Sequence, residues 1–160
     1  MAATALGSSD GTGALFTGSC TNISSMSRPW IQAVLDFNRF GGDYWTEQVN
    51  VPISTLDALI VQHGKPKFIK IDAEGSEPEI LTGLSHSVPL LSFEFVTDCL
   101  EATSKCLARL ESLGPVRFTY SPKETMELHP EWISGSEVME LLQHFTHDHS
   151  MYGDVYARFE

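Results

Sequence analysis

The sequence predicts an α/β layered fold, on three observations. Strand-type and helix-type signals alternate along the chain. Two short runs, residues 68–72 (FIKID) and 89–95 (PLLSFEF), have the near-continuous apolar character of strands buried in a parallel sheet. Helix-type segments open on capping residues, and several stop at glycine. At 160 residues the chain suits a single domain over residues 1–160, with no internal repeat and no linker long enough to divide it.

Residues 2–6 and 14–16 read as two strand pieces around the turn-rich stretch from Gly7 to Gly13. Ser27 is placed to cap a helix whose first turn tolerates Pro29, whose apolar positions are Ile31, Val34 and Leu35, and which stops at Gly41-Gly42. Residues 49–53 form a strand, and Pro52 assigns it to an edge or to a strand end. A second helix opens at Ser54-Thr55, turns Leu56, Leu59 and Ile60 inward and ends at Gly64.

After strand 68–72, Ser76 to Glu79 has the form of a capping box for a third helix. Strand 89–95 leads to a helix over 98–113 with Leu100, Leu107, Leu110 and Leu113 on its inner side. Residues 116–120 alternate like a strand with one wet face. A second capping box, Ser134 to Glu137, precedes the stripe Val138, Leu141, Leu142 and Phe145, and residues 154–159 close the chain as a strand.

Composition narrows the function. The apolar fraction of 42% and charged fraction of 19% are those of an ordinary globular protein, and no run is long enough to span a membrane. A formal net charge of −11 argues against nucleic acid or an anionic membrane as partner. The N-terminus lacks the basic region of a signal peptide, so a cytoplasmic protein is expected. Cys20, Cys99 and Cys106 make no metal pattern and leave an odd count for disulfides, so reduced thiols are expected.

Candidate chemistry gathers where two strands end on acids. In open α/β sheets ligands collect at the C-terminal edge of the parallel strands. Asp72 and Glu74 follow the first strand and Glu94 ends the second, and parallel neighbours lie about 4.8 Å apart, so these acids can share a crevice. Lys70 is on the side of its strand that carries Asp72, and as a charge in a buried strand it needs Asp72 or Glu94 as partner. Gly75 allows a sharp turn into the next helix. Such carboxylates can bind an amine or hydroxyl, act as a general base, or hold a divalent cation. The competing reading is an ion-pair network that ties strand to helix.

Other constellations are weaker. His144 and His147 are spaced to reach one metal, with His149 and Asp148 nearby, but the segment also ends a helix, where His suits the dipole. Trp30, Trp45 and Trp132 read as packing residues. Ser24, Ser25 and Ser27 have no neighbouring base that would make one a nucleophile, and Gly7 to Gly13 reads as a turn rather than a phosphate loop.

VPISTLDALI (51–60), FIKIDAEGSEPEILTGL (68–84) and VPLLSFEF (88–95) together resemble the FkbM family of S-adenosylmethionine-dependent methyltransferases, whose hallmark is a strand close to F-I-K-I-D-x-E-G followed by an acidic residue. The resemblance extends to SSDGTGALFTGSCTNISSMS and to DVYAR, nearly the whole chain. It implies a Rossmann-like class I methyltransferase fold with a mixed sheet and the last strand antiparallel, strands 68–72, 90–95, 116–120 and 154–159 being the fourth to the seventh. It also implies S-adenosylmethionine as cofactor and O-methylation of a small hydroxylated metabolite or sugar. Asp72, Glu74 and Lys70 take the catalytic positions, with Glu94, Asn22 and Ser25 on the substrate side.

The glycine-rich cofactor turn of such folds would precede Met1. The chain is therefore expected to be the C-terminal portion of the fold, lacking its first strands. Strand 68–72 would then have a free edge through which a homodimer is expected. Two other readings stay open: a non-catalytic remnant that self-associates, and a metal-dependent hydrolase using the same carboxylates.

Overall fold

Side-chain caps start three of the helices. In α1 (Arg28–Asp36) the Ser27 hydroxyl accepts the Trp30 N–H at 3.3 Å, and in α2 (Leu56–His63) the Thr55 hydroxyl accepts that of Ala58 at 3.0 Å. The helix α3 (Glu77–Thr82) differs: Ser76 makes no side-chain cap bond, so the capping box expected from Ser76 to Glu79 does not form. The helix expected over 98–113 is split into a 3₁₀ turn (Thr97–Cys99) and α4 (Leu100–Glu111). In α5 (Gly135–Gln143) both halves of the box are present, with Ser134 N–H donating to Glu137 Oε2 at 2.8 Å. The structure is a computed structural model and describes residues 4–18, 23–39, 45–123, 125 and 127–160. The Gly41-Gly42 stop assigned to α1 lies outside those residues.

The strands are β1 (Ala5–Leu6), β2 (Gly11–Gly18), β3 (Trp45–Ser54), β4 (Ile69–Ile71), β5 (Leu90–Val96), β6 (Val116–Pro122) and β7 (Tyr152–Phe159). They form two sheets rather than the one mixed sheet expected: a three-stranded sheet in the order β1-β3-β2 and a four-stranded sheet in the order β4-β5-β7-β6. In the second, β4 runs parallel to β5, whereas β7 is antiparallel to both β5 and β6. The Gly11–Gly13 part of the expected turn belongs to β2, paired antiparallel with β3. Pro52 lies in β3, the middle strand of its sheet, yet β1 pairs only with Ile53 and Ser54. Opposite Thr12, Pro52 therefore meets a strand on one side alone, where its missing N–H leaves no bond unmade.

Register sorts the four-stranded sheet into two faces. Ile69, Leu91, Ala157 and Phe118 form one cross-strand row, and Ile71, Phe93, Val155 and Tyr120 form the next on the same face. Leu81, Leu84, Leu107, Leu110, Val138 and Leu142, from α3 to α5 and the turn after α3, join these residues in the main core. The opposite face is polar, with rows Lys70, Ser92, Tyr156, Thr119 and Glu94, Asp154, Ser121.

The strand β6 does not have the wet face that its alternation predicts, since Phe118, Thr119, Tyr120 and Ser121 are all buried. The chain after it folds back along its outer edge: Phe118 and Ile133 exchange backbone hydrogen bonds, and Thr119 donates its hydroxyl to His129 O at 2.9 Å. Trp30 and Trp45 meet edge to face at 5.8 Å in a second apolar cluster with Ile23, Val34 and Val96, and Trp132 lies under the Arg158 guanidinium. Among the described residues no helix is long and apolar enough to cross a membrane.

Leu110 is fully buried whereas Val61 is 87% exposed. Leu110→Ala is expected to lower the unfolding free energy by about 2–5 kcal/mol, and Val61→Ala to change it by less than about 0.5 kcal/mol, read from urea midpoints at constant slope.

Candidate functional site

The acidic turn after β4 is held by its own neighbours. Ala73 and Gly75 donate their N–H groups to Glu77 Oε1 at 2.8 and 3.4 Å. The carboxylate that follows Ser76 thus caps the turn that precedes its own helix. Across from it, the Ser25 hydroxyl donates to the Glu74 carbonyl at 2.6 Å while accepting the Ser27 N–H at 2.9 Å. Between these restraints Glu74 takes φ 50° and Gly75 φ 88°. A left-handed glutamate is uncommon, and both sides of the turn secure this one.

The turn brings the expected acids together. Ile71 pairs with Phe93 in β5, so Asp72 arrives beside Glu94, and Asp72, Glu74 and Glu94 each offer an oxygen within 4.8 Å of the others. Asp72 is exposed; Glu74 and Glu94 are partly buried. Burial raises the Glu94 pKa to about 8, helped by the charges of Glu74, Asp72 and Glu77 and opposed by Lys70. Burial and the charges of Asp72 and Glu77 raise Glu74 to about 7, with Arg39 opposing. Glu77 is raised as well: its burial outweighs the backbone hydrogen bonds that favour its charged form.

Lys70 has a different principal partner from those expected. Its ammonium donates to Asp154 Oδ1 of β7 and lies 3.6 Å from Asp72, with its side chain 39% exposed. Partial burial works against its charge, but the Asp154 hydrogen bond and the nearby carboxylates outweigh that and raise its pKa. Asp154 is two strands away yet stands opposite Glu94 in the register, which is why it reaches Lys70. The signal was available in the sequence, since the last strand also begins near a carboxylate. Ser92, between Lys70 and Tyr156 in its row, is 1% exposed, and its hydroxyl has no hydrogen-bond partner among the described residues.

Other site expectations change. Ser25 is 1% exposed and its hydroxyl is committed to the turn, so it positions Glu74 rather than facing a substrate. Asn22 lies outside the described residues. In the histidine segment, His149 bonds Asp98 at 2.7 Å and stacks on Phe37, while His144 is the C-cap residue of α5. Asp98 is also paired with Arg39 at 3.4 Å.

Chemically, the cluster offers oxygen ligands for a divalent cation, acceptors for an amine or hydroxyl, and two carboxyls that change charge near neutrality. A cleft of about 810 Å³ begins at Gly75 and Ser76, beside the cluster, and the side chains of Asp72, Glu74 and Glu94 do not line it.

The raised pKa values fix the sign of a pH effect. Between the ordinary glutamate value of 4.5 and about 8 the folded chain holds more protons at Glu94 than the unfolded one, so its contribution to stability is full below 4.5 and falls as the pH rises. Glu94→Gln is expected to raise Tm by about 5 °C at pH 8.5 and to leave it nearly unchanged at pH 4.5, measured by calorimetry in low salt.

The family model for the methyltransferase FkbM domain matches residues 3–141, which include the acidic turn, Lys70 and Glu94. Neither the curated proteins nor the solved structures give a significant match. With most of its length matched, the chain belongs to the FkbM methyltransferase family.

Proposed function

We propose that this chain carries the acceptor side of an S-adenosylmethionine-dependent O-methyltransferase, with Glu94 and Glu74 as the groups that take the proton of a reacting hydroxyl. The observation that carries this reading is the convergence of Asp72, Glu74 and Glu94, two of them raised to about 8 and about 7, at the C-terminal edge of β4 and β5. A general base works best when its pKa is close to the working pH. Lys70, held by Asp154 and Asp72, sets the local charge. The antiparallel β7 beside parallel β4 and β5 supports the Rossmann-like reading.

The stretch from Gly7 to Gly13 does not fit the methyl donor. A Cβ at Gly13 would meet Ile53 Cδ1 and Met26 Cε at 2.6 Å each, and one at Gly7 would meet Ile53 Cγ2 at 2.9 Å. These glycines make room for neighbouring side chains rather than for a phosphate. A cytoplasmic setting accords with the free thiols of Cys99 and Cys106. The outer edge of β4 makes self-association part of the same reading, since β4 pairs only with β5 among the described strands.

Glu94→Gln is expected to lower kcat about 10²- to 10⁴-fold and to remove the rise in rate through pH 7–8. That rise belongs to the carboxylates as a coupled set. Heat on titrating S-adenosylmethionine or S-adenosylhomocysteine into the chain supports the reading. No heat at high protein concentration points instead to a non-catalytic remnant. In sedimentation a dimer is expected; a monodisperse monomer sinks the edge-pairing claim.

A further inference from the structure

We infer that the cleft between the small sheet and the first turns of α3 and α4 binds an uncharged or cationic small molecule with a mainly apolar, ring-bearing body. Resting on the methyltransferase reading, that molecule is the acceptor, and the cleft narrows its class from any hydroxylated metabolite to an aryl or polycyclic one.

Size is the first argument. The cleft holds about 810 Å³, within the roughly 300–1,000 Å³ that accommodates drug-sized ligands and well beyond a single small metabolite ring. Lining chemistry is the second. Leu6, Ala14, Phe16, Met26 and Ile53 supply one wall, and each is only partly buried, so apolar surface remains turned to the space. Met26 is unbranched and adapts to ring edges. Pro29, Pro78 and Ala102 add further apolar surface. Hydroxyls come from Ser8, Ser9, Ser27 and Ser76, that of Ser27 already caps α1, and they stand beside a larger apolar lining, so a ring-bearing body is better served than a bare sugar.

Charge is the third argument. Both cationic side chains at the cleft are engaged: Arg28 lies over the Phe16 ring at 4.4 Å, and Lys105 pairs with Glu101 at 2.7 Å. Asp98 is paired with Arg39, and Glu79 adds an exposed carboxylate. In a chain of formal net charge −11, the acids lining the cleft, Glu79, Asp98 and Glu101, outnumber its cations Arg28 and Lys105, which disfavours an anion. The position is the fourth. Gly75 and Ser76 line the cleft, so a body seated there has one end against the backbone of the turn that carries Glu74.

The test is a fluorescence titration of the full chain with 2-naphthol, 2-naphthylmethylamine, 2-naphthoate and methyl glucoside, run without a methyl donor. Saturable binding of one naphthol per chain is expected, with the amine at least as tight. Naphthoate and glucoside are expected to be about tenfold weaker or worse. Ala33→Trp, which fills the cleft from α1, is expected to weaken naphthol about tenfold at unchanged circular dichroism. If that variant does not fold, Phe16→Ala, which removes the aromatic wall, is expected to weaken it to a similar degree. Absence of saturable naphthol binding, equal affinity for naphthoate, or unaltered affinity in the folded variants would each overturn the assignment. Because no donor is present, a failure here leaves the methyltransferase reading standing, and a failed S-adenosylmethionine titration leaves the cleft assignment standing.

Discussion

Asp72, Glu74, Glu77 and Glu94 are crowded onto one strand edge, and their mutual repulsion is the constraint to which the surrounding structure answers. The four find three remedies between them. Asp72 stays in water near Lys70, and Glu77 turns back to the N–H groups of Ala73 and Gly75. Among the described residues no cation pairs directly with Glu74 or Glu94, and holding a proton is their means of relief. Such an arrangement costs folding free energy at neutral pH, which is the usual mark of groups kept for chemistry rather than for stability.

The parts of this architecture legible in the sequence are those set by local rules. Caps at Ser27, Thr55 and Ser134 are short-range hydrogen bonds, and all three form where the residue pattern puts them. The meeting of Asp72 with Glu94 follows from strand spacing and was equally readable. What escaped depends on which strands become neighbours. Asp154 reaches Lys70 only because β7 inserts between β5 and β6, and periodicity carries no information on that order. The burial of Thr119 and Ser121 depends on the chain after β6 returning along its edge. The box at Ser76 to Glu79 misled for a subtler reason: Ser76 opens a helix as expected, but its hydroxyl makes no cap bond, and Glu77, between the two, satisfies the turn before the helix instead.

The small sheet couples to the acidic edge through few but well-placed contacts. Ser25 Oγ reaches the Glu74 carbonyl from the segment after β2, and Trp30 of α1 packs against Gly75 so closely that a Cβ there would sit 2.3 Å from its own. The backbone of the turn is thus set from outside the four-stranded sheet, while its side chains answer to that sheet. Displacement of the segment from Ser25 to Trp30 would alter the left-handed Glu74 before it disturbed the main core.

The polar row across the four strands also has a consequence for the proton inventory of the protein. The formal charge of −11 counts every carboxylate as ionised, whereas Glu74 and Glu94 hold part of a proton each near neutrality. A cation or amine arriving at this edge therefore expels protons into solution. Its apparent affinity rises with pH, and the heat it releases varies with the ionisation enthalpy of the buffer. The strand edge is a site where binding and buffering are one equilibrium.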